Sequence, residues 1–179
     1  MRLKPTLAAL AATAAFASPA MAQTVSTATA EARGTILQPL TLTQVQDLDF
    51  GTVLSSATAG TVTIDANTGA RSVSGGVTAI ALDLGQRAEF AGVGTNGQLV
   101  EITLTPPAGN ILNRVGGGAT ILVNTWDLDG GAANDTFQTR TITDVNGAFL
   151  VGVGAQFAVA ANQMNGLYTA NFDVTAEYN

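Results

Sequence analysis

The alternation of apolar and polar positions is most regular at the end of the chain, over residues 166–179. Tyr168, Ala170, Phe172, Val174, Ala176 and Tyr178 take every second place, and Thr169, Asn171, Asp173, Thr175 and Glu177 fill the gaps. Side chains of a strand switch faces at each residue, so this period of two predicts a strand with one apolar and one wet face. A helix would scatter the same apolar residues around its circumference. The pattern continues to the last residues, where a chain frays unless it is paired.

Upstream, the same reading predicts short strands at 35–42, 47–53, 60–64, 76–82, 87–91, 98–104, 119–126, 139–143, 148–153 and 155–160. Asn67-Thr-Gly69, Asn96-Gly97, Gly116-Gly-Gly118, Asp129-Gly-Gly131, Asn146-Gly147 and Asn165-Gly166 separate many of them. Such pairs tolerate the positive φ that tight hairpins require. Short strands at this spacing predict an all-β sandwich or barrel. In 47–53, Leu48, Phe50 and Thr52 are expected to face the core, with Asp47, Asp49 and Gly51 facing out.

The N-terminal end has a different grammar. Arg2 and Lys4 precede an apolar run over 7–17, and Ala20-Met21-Ala22 supplies small residues at a cleavage site. This predicts a secretory signal peptide over 1–22, and an exported protein starting at Gln23. The apolar run is too short for an anchor, and no later segment reaches the ~20 apolar residues of a membrane-spanning helix. Residues 23–34 form an extension of Thr, Ala and Ser in which Ala28, Ala30 and Ala32 share a face, and 35–179 is one domain. The extension is readable as a flexible leader, a first strand, or a strand offered to another molecule.

Charge and composition then remove whole classes of function. After cleavage five arginines face thirteen carboxylates, a net charge of −8. Nucleic acid and anionic headgroups need clustered Lys or Arg, so nucleic-acid binding is set aside. There is no His or Cys, and the single Lys lies in the signal. Ser-His, Cys-His and Ser-Lys nucleophile systems are thereby excluded, and zinc, copper and iron lose their usual ligands. No disulfide supports the fold, so burial, backbone hydrogen bonds or neighbouring subunits must.

Three spellings invite chemistry. Gly92-Val-Gly-Thr-Asn-Gly97 has the G-x-G-x-x-G spacing of a dinucleotide loop, but the apolar alternation that follows predicts a strand instead of the required helix. It reads as a hairpin turn. Asp127, Asp129 and Asp135 offer oxygens to Ca²⁺, although Gln138 stands where an EF-hand loop places its bidentate Glu. Asp127 with Asp135, or Glu89 with Glu101, are nameable carboxylate pairs for glycoside hydrolysis, with nothing that aligns them. The expectation is no enzyme, no cofactor, and at most a weak cation loop. Trp126 beside that loop is the one aromatic candidate for a ligand-binding module.

Two resemblances add to this. Leu48-Asp-Phe-Gly-Thr-Val53, Gly60-Thr-Val62, Phe149-Leu-Val-Gly152 and the spaced ending Gly166, Tyr168, Phe172, Val174, Tyr178 resemble, in order, the secreted Gram-negative domain of unknown function number 4402, over most of 35–179. The ending is also similar to that of chaperone–usher pilins: a Gly fourteen positions from the C-terminus, an alternating strand and a penultimate Tyr. That likeness implies an immunoglobulin-like antiparallel β-sandwich in which 167–178 borders the groove of a missing strand. It further implies a periplasmic chaperone, an usher-like pore and a neighbour's N-terminal extension filling the groove. The resulting expectation is a structural or adhesive subunit of a fimbria-like fibre, passing through the periplasm to the cell surface. Gly166, Tyr168, Phe172, Val174 and Tyr178 are its assembly residues. The competing expectations are a small outer-membrane β-barrel and a self-complete soluble surface binding module.

Overall fold

Apolar residues at alternate positions, separated by glycine turns, dictate the architecture of the computed structural model, which describes residues 25–179. The expected signal peptide over 1–22 lies outside the described residues. The chain divides into two units, Met1–Thr35 and Ile36–Asn179. In the first, the described residues carry no strand or helix and are exposed, with an ion pair between Arg33 and Glu31 at 2.8 Å.

The second unit is an all-β sandwich. Its larger sheet runs in the order β1 (Thr41–Gln46), β6 (Ala88–Val93), β11 (Ala148–Val159), β9 (Thr120–Leu128), β8 (Ile111–Arg114), β12 (Tyr168–Thr169). The hairpin of β3 (Gly60–Ile64) and β4 (Arg71–Gly75) joins it through β11. A smaller sheet has the order β10 (Phe137–Thr141), β7 (Leu99–Thr105), β13 (Asp173–Tyr178). Two short strands, β2 (Val53–Leu54) and β5 (Thr78–Ala79), pair with each other. All pairings are antiparallel.

The core follows from the alternation. Val100, Ile102 and Leu104 of β7 meet Val123, Trp126, Leu128, Val151, Val153 and Phe157 of the larger sheet, and all are buried. β11 is twelve residues long, about 40 Å of extended chain. It pairs with β6 along its first half, then with β3 along its second, and with β9 across the middle. The sequence reading divides this segment at Gly154. The glycine is instead a point of close approach: a Cβ there would sit 2.5 Å from the amide nitrogen of Ala66.

The strand expected over 167–178 is divided as well. β12 pairs with β8 in the larger sheet and β13 pairs with β7 in the smaller one. The chain crosses between sheets at 170–172, where Phe172 packs against Trp126 with ring centroids 5.2 Å apart. Its expected alternation survives the crossing: Tyr168, Ala170, Phe172, Val174, Ala176 and Tyr178 all pack against the core. No described helix is long and apolar enough to cross a membrane.

Candidate functional site: an open apolar groove

One flank of the sandwich is open. Residues 47–55 and 163–172 form two walls, and between them lies a groove of about 790 Å³. Its floor is Leu112 of β8, Ile121 and Trp126 of β9, and Phe157 and Val159 of β11. The first wall adds Leu48, Phe50 and Val53, and the second adds Tyr168, Ala170 and Phe172. Phe50 stands edge-on to Phe157 at 4.5 Å. At the rim Leu54, Met164 and Leu167 are 55%, 48% and 66% exposed, large apolar side chains left facing water.

Each wall includes a two-residue strand with one edge unpaired among the described residues. β12 ends the strand order of the larger sheet, and β2 has β5 as its partner. The other side of the first wall is held firmly. Asp49 exchanges backbone hydrogen bonds with Gln86, and the Arg71 guanidinium donates to the carbonyls of Phe50, Thr52 and Ile80. Thr52 donates both its amide and its hydroxyl to the Asp83 carboxylate, at 2.7 and 2.6 Å. The hydroxyl bond, first among several contacts, holds Asp83 below its usual range. This contact is therefore present above the unfolded carboxylate range and is lost as pH falls through the depressed value.

The second wall is fixed by side-chain bonds to backbone. Tyr168 donates its hydroxyl to the Met164 carbonyl at 2.6 Å and accepts from Gln163. Arg114 donates to the Asn165 carbonyl at 2.7 Å and lies against Gly166, whose φ of 146° suits glycine and where a Cβ would stand 2.6 Å from the guanidinium. The two walls converge where Asn162 donates its amide to the Ser56 carbonyl at 2.7 Å.

Of the five expected assembly residues, Gly166, Tyr168 and Phe172 line this groove. Val174 lies beyond it in β13, packed on the core. Tyr178 performs a separate task. Its hydroxyl accepts from the Thr95 amide at 2.7 Å and donates to the Gln38 carbonyl at 2.8 Å, while the Gln38 amide donates to the Thr95 hydroxyl. The last strand is thereby tied to the start of the domain.

The floor and the first wall were not foreseeable as a site. Their residues come from four separate stretches, each an ordinary core pattern by itself. The one available signal was Asp47-Leu-Asp-Phe-Gly, whose Leu48 and Phe50 face inward as expected, whereas Thr52 is exposed and turned to the Asp83 carboxylate.

The other candidates resolve differently. Gly97 has φ of 79° and closes the turn before β7, so the G-x-G-x-x-G spelling is a strand-to-strand connection, but not the expected hairpin, because β6 lies in the larger sheet and β7 in the smaller one. In the aspartate loop, Asp129 pairs with Arg140 and accepts from the Gly152 amide, and Asp127 accepts from the Asp135 amide at 3.1 Å. These carboxylates shape the loop, and no described group of three acidic residues is arranged to hold a metal. Trp126 is buried with 4% exposure, not an exposed platform.

Burial, aided by the Asp135 and Asp65 charges, pushes the Asp127 carboxyl above its ordinary value, against the pull of backbone amides. A raised value in the folded state means that the charged form costs stability at neutral pH. Asp127→Asn, which keeps an oxygen acceptor, is therefore expected to stabilise the protein at pH 7 by up to about 1 kcal/mol, the scale of exposed charge effects. The gain is full above the raised value and fades toward the unfolded value of about 3.9. Paired thermal melts of both proteins at pH 7 and pH 3 check this; a gain unchanged at pH 3 contradicts it.

A family model described as Domain of unknown function (DUF4402) matches residues 40–178, most of the chain. No curated protein and no solved structure matches it at a significant level.

Proposed function

The chain belongs to the DUF4402 family, and we propose that it is an exported structural or adhesive subunit of a fimbria-like surface fibre, built by β-strand complementation. One observation carries this reading: an apolar groove lies between two walls, each of which includes a short strand with one edge unpaired among the described residues. Unpaired edges beside apolar surface invite aggregation, and an added strand removes both liabilities together. The wall of residues 47–55 allows a length of up to about 30 Å at strand rise, which suits an extended segment better than a compact ligand.

The donor on this reading is the extension 23–34 together with the residues leading to Leu37, supplied by a second copy. Val25 and Ile36 are 88% and 96% exposed, and residues 25–40 belong to no strand. Before assembly a periplasmic chaperone would cover the groove, and an usher-like pore would pass the subunit outward. Within the sandwich an immunoglobulin-like strand arrangement completed by the donor is part of the same proposal. The inward-facing apolar core supports a sandwich over a spanning barrel, which carries its apolar residues outward.

Full-length mature protein, 23–179, is expected to form a ladder of oligomers that resist SDS, and a version starting at Thr35 is expected to run as a monomer. Identical migration of the two would sink the donor role of the extension.

A further inference from the structure

The arginines of this chain are distributed unevenly with respect to access. Arg71, Arg114 and Arg140 lie within strands, and Arg87 directly precedes one. Each donates to backbone carbonyls: Arg71 to Ile80 at 2.7 Å, Arg87 to Ala66 at 2.9 Å, Arg114 to Asn165 at 2.7 Å, Arg140 to Leu150 at 2.8 Å. Arg33 differs in every respect. Its side chain is 82% exposed, its partner Glu31 is itself 70% exposed, and its neighbours belong to no strand or helix. A Cβ on Gly34 would meet nothing within 4 Å. The β-sandwich unit begins two residues later, at Ile36.

An endoprotease must draw several residues on both sides of the bond into an extended conformation, so strand arginines are shielded and exposed, unstructured ones are not. An exposed ion pair is worth at most about 1 kcal/mol and offers no protection. From this we propose that the Arg33–Gly34 bond is a processing site for a trypsin-like, arginine-specific endoprotease, and that its cleavage ends fibre growth. Water is the co-reactant. Its hydroxyl adds to the Arg33 carbonyl carbon, the C–N bond breaks, and a proton passes to the Gly34 nitrogen. The products are a peptide ending in a carboxylate and a domain starting with a free amine.

The consequence rests on the donor reading given above. A cleaved subunit keeps the whole groove and loses the strand it would give to a neighbour. It accepts but does not donate, and so terminates a chain of subunits.

The test uses trypsin on folded, full-length mature protein isolated as the monomer before assembly, where the extension is not yet held in a neighbour's groove, read by intact mass. The expected result is one cut, giving 23–33 and 34–179, with the larger product resistant and Arg33→Gln protein left whole. Cleaved monomer mixed with uncleaved monomer before assembly should then remove the longer rungs of the SDS-resistant ladder. A first cut at Arg71, Arg87, Arg114 or Arg140, or no cut at all, overturns the site and leaves the groove reading standing if the 23–37 peptide still binds the domain. A clean cut at Arg33 that leaves the ladder unchanged overturns the switch and the donor reading together.

Discussion

Trp126→Ala is expected to lower the unfolding free energy by about 3–5 kcal/mol, the range for removing a large aromatic side chain from a core. Trp126 is buried, packs on Phe172, and forms part of the groove floor, so its loss opens the floor to the groove. For a domain of this size each kcal/mol moves the melting temperature by about 2–4 °C, so the fall is on the order of 10 °C. Trp126→Phe should behave differently. The indole N–H is buried without a hydrogen-bond partner among the described residues. An unmet buried donor costs about 1–3 kcal/mol. Phenylalanine retains a ring while removing that donor, so its net loss should stay below about 1.5 kcal/mol. Urea titrations followed by circular dichroism measure both variants. A Phe variant as unstable as the Ala variant would contradict this account of the indole.

The strand grammar of this chain was legible wherever alternation was carried by large residues. β3 coincides with the expected 60–64, and the ending faces inward as its pattern required. Weakly apolar strands escaped. β4 reads Arg-Ser-Val-Ser-Gly, with one apolar side chain, and exists because it pairs with β3. β8 sits between Pro106-Pro-Ala-Gly109 and the glycine run 116–118, which on sequence alone outweigh Ile111 and Leu112. β1 begins at Thr41 where 35–42 was expected, since Ile36 and Leu37 are apolar yet lie outside the sheet. Gly154 inside β11 resembles a break by residue type and is a contact by geometry.

The same contrast applies to the site. Gly166, Tyr168 and Phe172 could be read as one wall because a single strand pattern contains them. The facing wall and the floor depend on β2, β8, β9 and β11 meeting in space, which no local pattern encodes. Trp126 next to an acidic loop suggested an exposed ligand platform. A bulge places it inside instead: Val123 and Thr125 pair with the consecutive residues Phe157 and Gln156, so Asn124 is an extra residue and the alternation shifts by one, which brings Trp126 to the buried face with Val123.

The central claim is that the groove receives an extended segment of this same chain. A synthetic peptide of residues 23–37, titrated into the domain that starts at Thr35, tests it directly, with thermal unfolding and the fluorescence of the single Trp126 as readouts. At a hundredfold excess over its dissociation constant, a bound strand adds about 2.7 kcal/mol, a rise of about 5–10 °C in melting temperature. Such a rise, together with a change in Trp126 emission from the groove floor, is the predicted result. An unchanged melting temperature, with both the domain and the full-length protein equally stable monomers, would contradict the account and leave a self-complete surface module.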